Sequence, residues 1–347
     1  MSDFIIQKIK NIDFFIYLFF SIFFIPIFFS IYYLNKIKNK KDDNYIEINL
    51  NYKRDPAYFG KTFLNLLNLA ILNKLKKYDT EALNKIENLI LEISLFKDKK
   101  EIIYLTNNFE DINKLKDSTN LKEKDICSII IMNKKSTEIK KPMNLKKEFI
   151  NLGNLIISNK VSFFALIVKG DLILNKDSEI TIEKYLHVDG NIYFNSKANV
   201  GVSIYSSENI YINSLVTFKR MFAKEIKTQL DENFVFLDDI EENKFNNKTL
   251  IKGNLKIYGK LELNPDSEFI IIQGNLVSEN DIILKGNIWV KENIFTQGNI
   301  SLSNGVVVGV KNKIKSIVAK KNITIGPKVK IYGYIHSELN STTNNIS

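Results

Sequence analysis

Between residues 274 and 309 the apolar and polar positions repeat every six residues, as GNLVSE, NDIILK, GNIWVK, ENIFTQ, GNISLS and NGVVVG. The third place of each block is aliphatic: Leu276, Ile282, Ile288, Ile294, Ile300 and Val306. An earlier stretch keeps the same frame, with third places at Ile192, Ala198, Ile204, Ile210 and Val216. Side chains alternate across a strand, so third and fifth places, such as Ile288 with Val290 or Ile300 with Leu302, share one face and are expected to point inward. Glycine, asparagine and aspartate at the block boundaries are expected to turn the chain through left-handed backbone angles. Three blocks then close one winding of about 18 residues that stacks in parallel on the next. The pattern predicts a mainly β chain, a parallel three-sided β-helix (a solenoid) over residues 150–336. Such stacking places Tyr193 over Tyr211, Val277 over Phe295 and Trp289 near Val307, all facing outward. An outward apolar row marks a surface that something covers, either the chain's own helices or another copy.

Three departures from the frame are visible. The intervals from Gly170 to Gly190 and from Gly253 to Gly274 exceed the period, which predicts bulges at corners. The stretch 228–249 is acidic and aperiodic, and reads as a surface loop or hairpin interrupting the stack. Its Asp238, Asp239, Glu241 and Glu242 have the chemistry to gather a cation, although a solvated acidic loop is the expectation. The polar end, 337–347, is expected to be a disordered tail.

Ahead of the repeat, residues 14–34 carry no charge and are long enough to cross a bilayer core as a helix, after a short segment 1–13. Lys36, Lys38, Lys40 and Lys41 follow this span while Lys8 and Lys10 precede it, which places the C-terminal bulk in the cytoplasm. After a juxtamembrane linker, 35–54, the region 55–149 reads as helical or α+β. Asp55 caps a helix that opens with Pro56 and runs to about Tyr78. Leu83, Ile86, Ile90 and Ile93 predict a second helix from Thr80. Strands are expected at 101–106 and 125–132, around a short helix at 109–116. Gly60, Lys61 and Thr62 imitate the end of a phosphate-binding loop, but that loop needs a glycine where Asp55 stands.

The net charge of +10 suggests an anionic partner until it is divided by region. Residues 161–347 hold 22 Lys+Arg against 20 Asp+Glu, and residues 51–160 hold 21 against 14, spread as single lysines along amphipathic segments. No nucleic-acid partner is expected. The one cysteine, Cys127, excludes an internal disulfide and a zinc cluster. Only two histidines exist, His187 and His336. His187, with Asp189 beside it, is expected to be a satisfied structural histidine, and His336 to lie on the last winding without an enclosed pocket. No catalytic, cofactor-binding or metal-binding residue, and no small-molecule substrate, is expected.

The units GDLIL at 170, GNIYF at 190, GNLKI at 253, GNIWV at 286 and the closing ITIGPKVKIYGYIHSE at 323–338 resemble the bactofilins, polymer-forming cytoskeletal proteins of bacteria. The resemblance covers about 150–338 and implies a right-handed β-helix that joins end to end without nucleotide and serves as a scaffold at the membrane. The helical insert and the acidic interruption depart from that family, and either can block a stacking end. The rival is a hexapeptide-repeat acyltransferase, which would use a histidine as general base; a monomeric membrane-tethered adaptor is the other alternative. The expectation is therefore a membrane-anchored, non-enzymatic scaffold. It would self-associate through solenoid ends or through an outward apolar face bearing Trp289, Phe295, Tyr193 and Tyr211.

Overall fold

The computed structural model describes residues 57, 60–62, 64–65, 88–96, 99–106, 129–132, 136–229, 234–240, 247–265 and 268–343. Residues 14–34, the expected helix at 109–116, Cys127, Glu241 and Glu242 lie outside them. Among the described residues no helix is long and apolar enough to cross a membrane.

The periodic region is a parallel β-solenoid with three faces. Every third place named above is sealed, from Ile192, Ile204 and Ile210 to Leu276, Ile282, Ile288, Ile294 and Ile300, none more than 1% exposed. Fifth places such as Val290, Leu302 and Ile212 join them in one continuous core. Each such aliphatic side chain contributes about 1.5–3 kcal/mol by burial, which only a neighbouring winding makes available. The stacking register is also as the period requires. Tyr193 pairs with Tyr211, Val277 with Phe295 and Trp289 with Val307.

The stack does not run in one direction. Residues 136–229 form an N-terminal arm that advances winding by winding to the long strand Val216–Thr228. Residues 248–343 form a C-terminal arm that ends in the long strand Lys330–Thr343. These two final windings meet antiparallel, with Phe222 opposite Tyr334, Met221 opposite Ile335, Lys227 opposite Lys330 and Thr217 opposite Thr342. The arms are thus joined last winding to last winding, and all three sheets pass unbroken through the junction. The acidic stretch does not merely interrupt a stack; after it, the axis is reversed.

The faces differ in what they show outward. A tyrosine face carries, in register, Ile156, Ile173, Tyr193, Tyr211 and Lys227, then across the junction Lys330, Val307, Trp289, Ile271 and Leu250. A histidine face carries Ile167, His187, Tyr205 and Phe222, then Tyr334. A threonine face presents Thr181, Asn199, Thr217, Thr342, Thr324 and Ser301.

Extra residues sit at corners, as the long intervals imply. The register offset is 20 where Ile192 meets Leu172 and 18 where Ala198 meets Ile180, so the surplus lies between them, at the turn containing Asp177 with φ 68°. A larger surplus at 309–314, where Val307 pairs with Lys330, was not foreseen.

Two expectations for flanking segments are overturned. Residues Asn88–Phe96 form a strand antiparallel to Lys99–Thr106, with Leu91 opposite Ile103, where a helix from Thr80 was expected. The sequence NLILEISLF satisfies period two as well as period 3.6, and pairing decides between them. The strands Lys99–Thr106 and Ile129–Met132 extend the histidine face beyond the first windings. At the other terminus, residues 337–343 are the last part of a strand, not a disordered tail. Ser341 is fully buried, and Thr343 Oγ1 accepts from Val216 N at 2.8 Å and donates to Ser214 O. Polarity here reflects a threonine-face outer row and an inner row in which Ser337 and Thr343 are hydrogen-bonded while the Ser341 hydroxyl has no partner.

The boundary residues do two jobs. Gly253, Gly286 and Asn304 turn the chain through left-handed angles as expected, with φ 85°, 86° and 58°. Gly190, Gly274 and Gly298 have no positive φ. A Cβ at Gly190 would lie 2.3 Å from Asp171 Oδ1, and one at Gly274 2.3 Å from the Gly253 backbone. Glycine is required there by the close approach of the preceding winding. The asparagine that follows it forms a column along the stack: Asn275 N donates to Asn254 Oδ1 at 2.8 Å, Asn293 Nδ2 to Asn275 Oδ1 at 2.9 Å, and Ser316 N to Asn293 Oδ1 at 2.8 Å. Asn154, Asp171, Asn191 and Asn209 form the equivalent column of the N-terminal arm. Each side chain satisfies a corner N–H that no strand ladder reaches. Asn293→Ala is therefore expected to cost about 1–3 kcal/mol, measured as a lowered urea midpoint by circular dichroism. Asn213→Ala, at an exposed rung bonded only to Asn195, is expected to cost less than Asn293→Ala does.

Candidate functional site

The acidic stretch folds back over the tyrosine face of the C-terminal arm. Phe236 and Leu237 are buried against Ile271, Trp289, Val307 and Tyr332, with Phe234 and Ile240 at the margin. The short 3₁₀ turn Leu237–Asp239 delivers its two aspartates to the junction, where Lys330 is 1% exposed. Lys330 Nζ donates to Asp238 Oδ1 at 3.0 Å and to Asp239 Oδ1 at 2.9 Å, with Glu225 Oε1 at 3.7 Å. Its ammonium also lies 4.6 Å from the Phe236 ring centroid. The Tyr332 hydroxyl donates to Asp238, and burial, reinforced by that carboxylate, pushes its pKa upward. A solvated acidic loop is thus the wrong description of Asp238, which is 6% exposed and serves as counter-charge to a buried lysine. No group of acidic, histidine or cysteine residues suited to a metal occurs among the described residues.

Trp289 is consequently not an outward contact. It is 8% exposed beneath the chain's own segment, and its Nε1 donates to Gly309 O at 2.8 Å. Of the other apolar residues considered for partners, Phe295 is 37% exposed. Tyr193 and Tyr211 are half-buried and stack with ring centroids 5.0 Å apart.

The histidine face is covered at the N-terminal arm. His187 is 2% exposed, stacked on Tyr205 at 4.6 Å, which in turn stacks on Phe222. Its Nε2 is 3.0 Å from Asp189 Oδ1, and Lys169 completes the row from the other side of that carboxylate. The hydrogen bond from His187, with help from Lys169, holds the Asp189 carboxyl down to about 2. Gly60, in the helical segment that the sequence marked as a false phosphate loop, lies flat against the imidazole; a Cβ there would be 2.3 Å from His187 Cγ and Nδ1. Lys61 Nζ sits 5.6 Å from the Tyr205 ring centroid. An aspartate–histidine pair is the core of a general base, but here Nδ1 faces the Gly60 backbone and has no hydrogen-bond partner. His336 is at the junction, opposite Arg220, and burial followed by that guanidinium lowers its pKa.

The remaining feature is the start of the C-terminal arm. The strands Lys248–Ile251, Leu255–Ile257 and Leu261–Leu263 each pair on one side, with Phe269–Ile272, Leu276–Ser278 and Ile282–Lys285. Among the described residues nothing pairs with their other edges. Ile251, Leu255, Ile257 and Leu263 are only partly buried, whereas Ile272, Leu276, Ile282 and Leu284 of the next winding are fully so. Comparison with protein-family models, with curated proteins and with solved structures found no match.

Three outcomes follow from this geometry. Lys330→Met leaves Asp238 buried without its cation and is expected to cost about 3–5 kcal/mol, most of it recovered by adding Asp238→Asn, as read from urea unfolding. Gly60→Val drives a side chain into the imidazole; a loss of about 1–3 kcal/mol and faster modification of His187 by diethyl pyrocarbonate are expected. Because the folded pKa of Asp189 is depressed, its contribution is complete above about pH 4 and is lost as pH falls toward about 2. Thermal unfolding of Asp189→Asn should therefore converge with that of the unsubstituted chain at the acid end of that window.

Proposed function

We propose that this chain is a structural scaffold, a β-solenoid rod held at the cytoplasmic face of a membrane by residues 14–34, that self-associates or recruits partners through its ends or its outward apolar residues. The observation that carries this reading is the junction. Antiparallel pairing of Val216–Thr228 with Lys330–Thr343 makes two short solenoids into one rod with an unbroken aliphatic interior. The acidic segment covers one face and the helical segment another, and among the described residues Leu255–Ile257 and Leu261–Leu263 pair on one side only, which supports contact at the ends of the rod. The resemblance to the bactofilins supports the same reading through the repeat units alone, and the axis reversal is a feature of this chain beyond that resemblance.

The test is flotation with liposomes. The full chain is expected to float, and a chain lacking residues 14–34 is expected to stay in the dense fraction with its β-type circular dichroism intact. Equal flotation of the shortened chain overturns the anchor. Transfer of an acyl group from an acyl thioester, abolished in His187→Ala, would replace the scaffold by the enzyme reading.

A further inference from the structure

The junction assembles a reactive pair as well as an ionic one. Lys330 Nζ lies 3.0 and 3.2 Å from the two oxygens of Asp238. The carboxyl carbon between them is therefore no more than about 3.5 Å from the nitrogen, the separation of atoms poised to react. Asp239 holds the same nitrogen at 2.9 Å through both of its oxygens. The Tyr332 hydroxyl donates to Asp238 Oδ2, and Glu225 Oε1 stands 3.7 Å from Nζ. Lys330 and Asp238 are 1% and 6% exposed, with the Phe236 and Tyr332 ring centroids 4.6 and 5.9 Å from the nitrogen, so water is largely kept from the pair. An ion pair needs only the two charges. A hydroxyl aimed at the carboxylate and a second carboxylate on the amine are what amide formation requires in addition.

We propose that Lys330 and Asp238 join in an amide bond, made by the folded chain itself, that locks the acidic segment onto the C-terminal arm. The step begins with transfer of one proton from Nζ to Asp238, which turns the ion pair into an amine and a carboxylic acid without changing the total charge. The nitrogen lone pair then attacks the carboxyl carbon, and the Tyr332 hydroxyl stabilises the negative oxygen as that carbon becomes tetrahedral. Burial and the hydrogen bond to Asp238 keep this phenol in its protonated, donating form. Asp239 takes a second proton from the nitrogen and passes it to the departing hydroxyl; the C–O bond breaks and one water leaves. Asp239 ends as the carboxylate it began, and no oxidant, nucleotide or second protein enters the balance. Of the two aspartates, Asp238 is the one joined because it is buried and bonded to Tyr332, whereas Asp239, 52% exposed, stays free to carry protons. The bond ties residues 92 apart in the chain. A cross-link of that span stabilises chiefly by restricting the unfolded state. It goes beyond the scaffold reading and is independent of the membrane anchor.

Intact mass spectrometry of the full chain, purified in detergent and then denatured, reads the bond directly. The expected mass is one water, about 18 Da, below that of the sequence. Trypsin is expected to leave Lys330 uncut and to release residues 228–244 branched to residues 329–347, with fragmentation placing the branch at Asp238. Asp238→Ala is expected to restore the full mass and cleavage after Lys330. Tyr332→Phe and Asp239→Asn are each expected to lower the branched fraction, at a fixed time after synthesis, by about tenfold or more. Should a variant fail to fold, the unsubstituted chain decides alone. A chain of full mass that is cut after Lys330 overturns the proposal, as does loss of water without a branch. A branch at Asp239, or a branched fraction that neither Tyr332→Phe nor Asp239→Asn lowers, overturns it equally. The urea comparison of Lys330→Met with and without Asp238→Asn concerns the ion pair, and its reference is the unsubstituted chain of full mass, collected before the bond forms.

Discussion

A winding of a parallel solenoid is incomplete on both sides. Its inward side chains are half-covered until another winding lies against them, and its strands each leave a row of backbone groups unpaired. The difference between Leu255, partly exposed on the terminal winding, and Leu276, sealed one winding further in, shows the size of the effect within a single column. Every larger feature of this molecule answers that constraint at one place or another. Two stacks have four ends, and fusing last winding to last winding removes two of them at once. Antiparallel pairing follows from the reversal, because two arms of the same kind that meet end on must present their strands in opposite directions.

The join has an electrostatic cost that the acidic segment offsets. Burying an ammonium without partners costs several kcal/mol, and a buried ion pair recovers that cost only with good geometry and several hydrogen bonds. Lys330 has both, from two aspartates on one short turn and from an aromatic ring beneath it. Such clusters add little net stability compared with an apolar replacement, and their better-supported use is to fix register. Here the register fixed is that of residues 234–240 across the row Ile271, Trp289 and Val307. The same segment that neutralises the junction thereby covers the apolar half of the tyrosine face. On the histidine face Gly60 does comparable work without charge, since only a residue lacking Cβ can lie flat on the ring of His187.

These coverings shape what is left for function. The threonine face is polar from Thr181 to Ser301 and turns apolar at Ile283, and the imidazole that a transferase would use is stacked, hydrogen-bonded and roofed over. Among the described residues, the first winding of the C-terminal arm pairs on one side only.

The interior was legible in the sequence because period two and period six are local. Ile288 and Val290 point inward for reasons set by their own backbone, so their direction could be read without knowing the neighbours, whereas depth of burial depends on the winding alongside. The same locality explains what stayed hidden. A six-residue repeat reads alike whether its windings advance up or down an axis, so nothing in GNIYF or GNIWV announces that the arms run in opposite directions. Asn88–Phe96 carries a pattern that fits two periods, and the partner strand Lys99–Thr106 chose between them. Thr343 looks like part of a polar tail until the segment 214–216 beside it supplies the groups it bonds. Asp238, Trp289 and Gly60 could be noticed as an acid, an outward aromatic and a misleading glycine, but their partners are about 20 to 130 residues away in the chain. Side-chain alternation is a property of the strand itself and was determined by the sequence alone. The direction of each arm, the counter-charge for Lys330 and the roof over His187 are contacts between distant segments, and only the tertiary structure decided them.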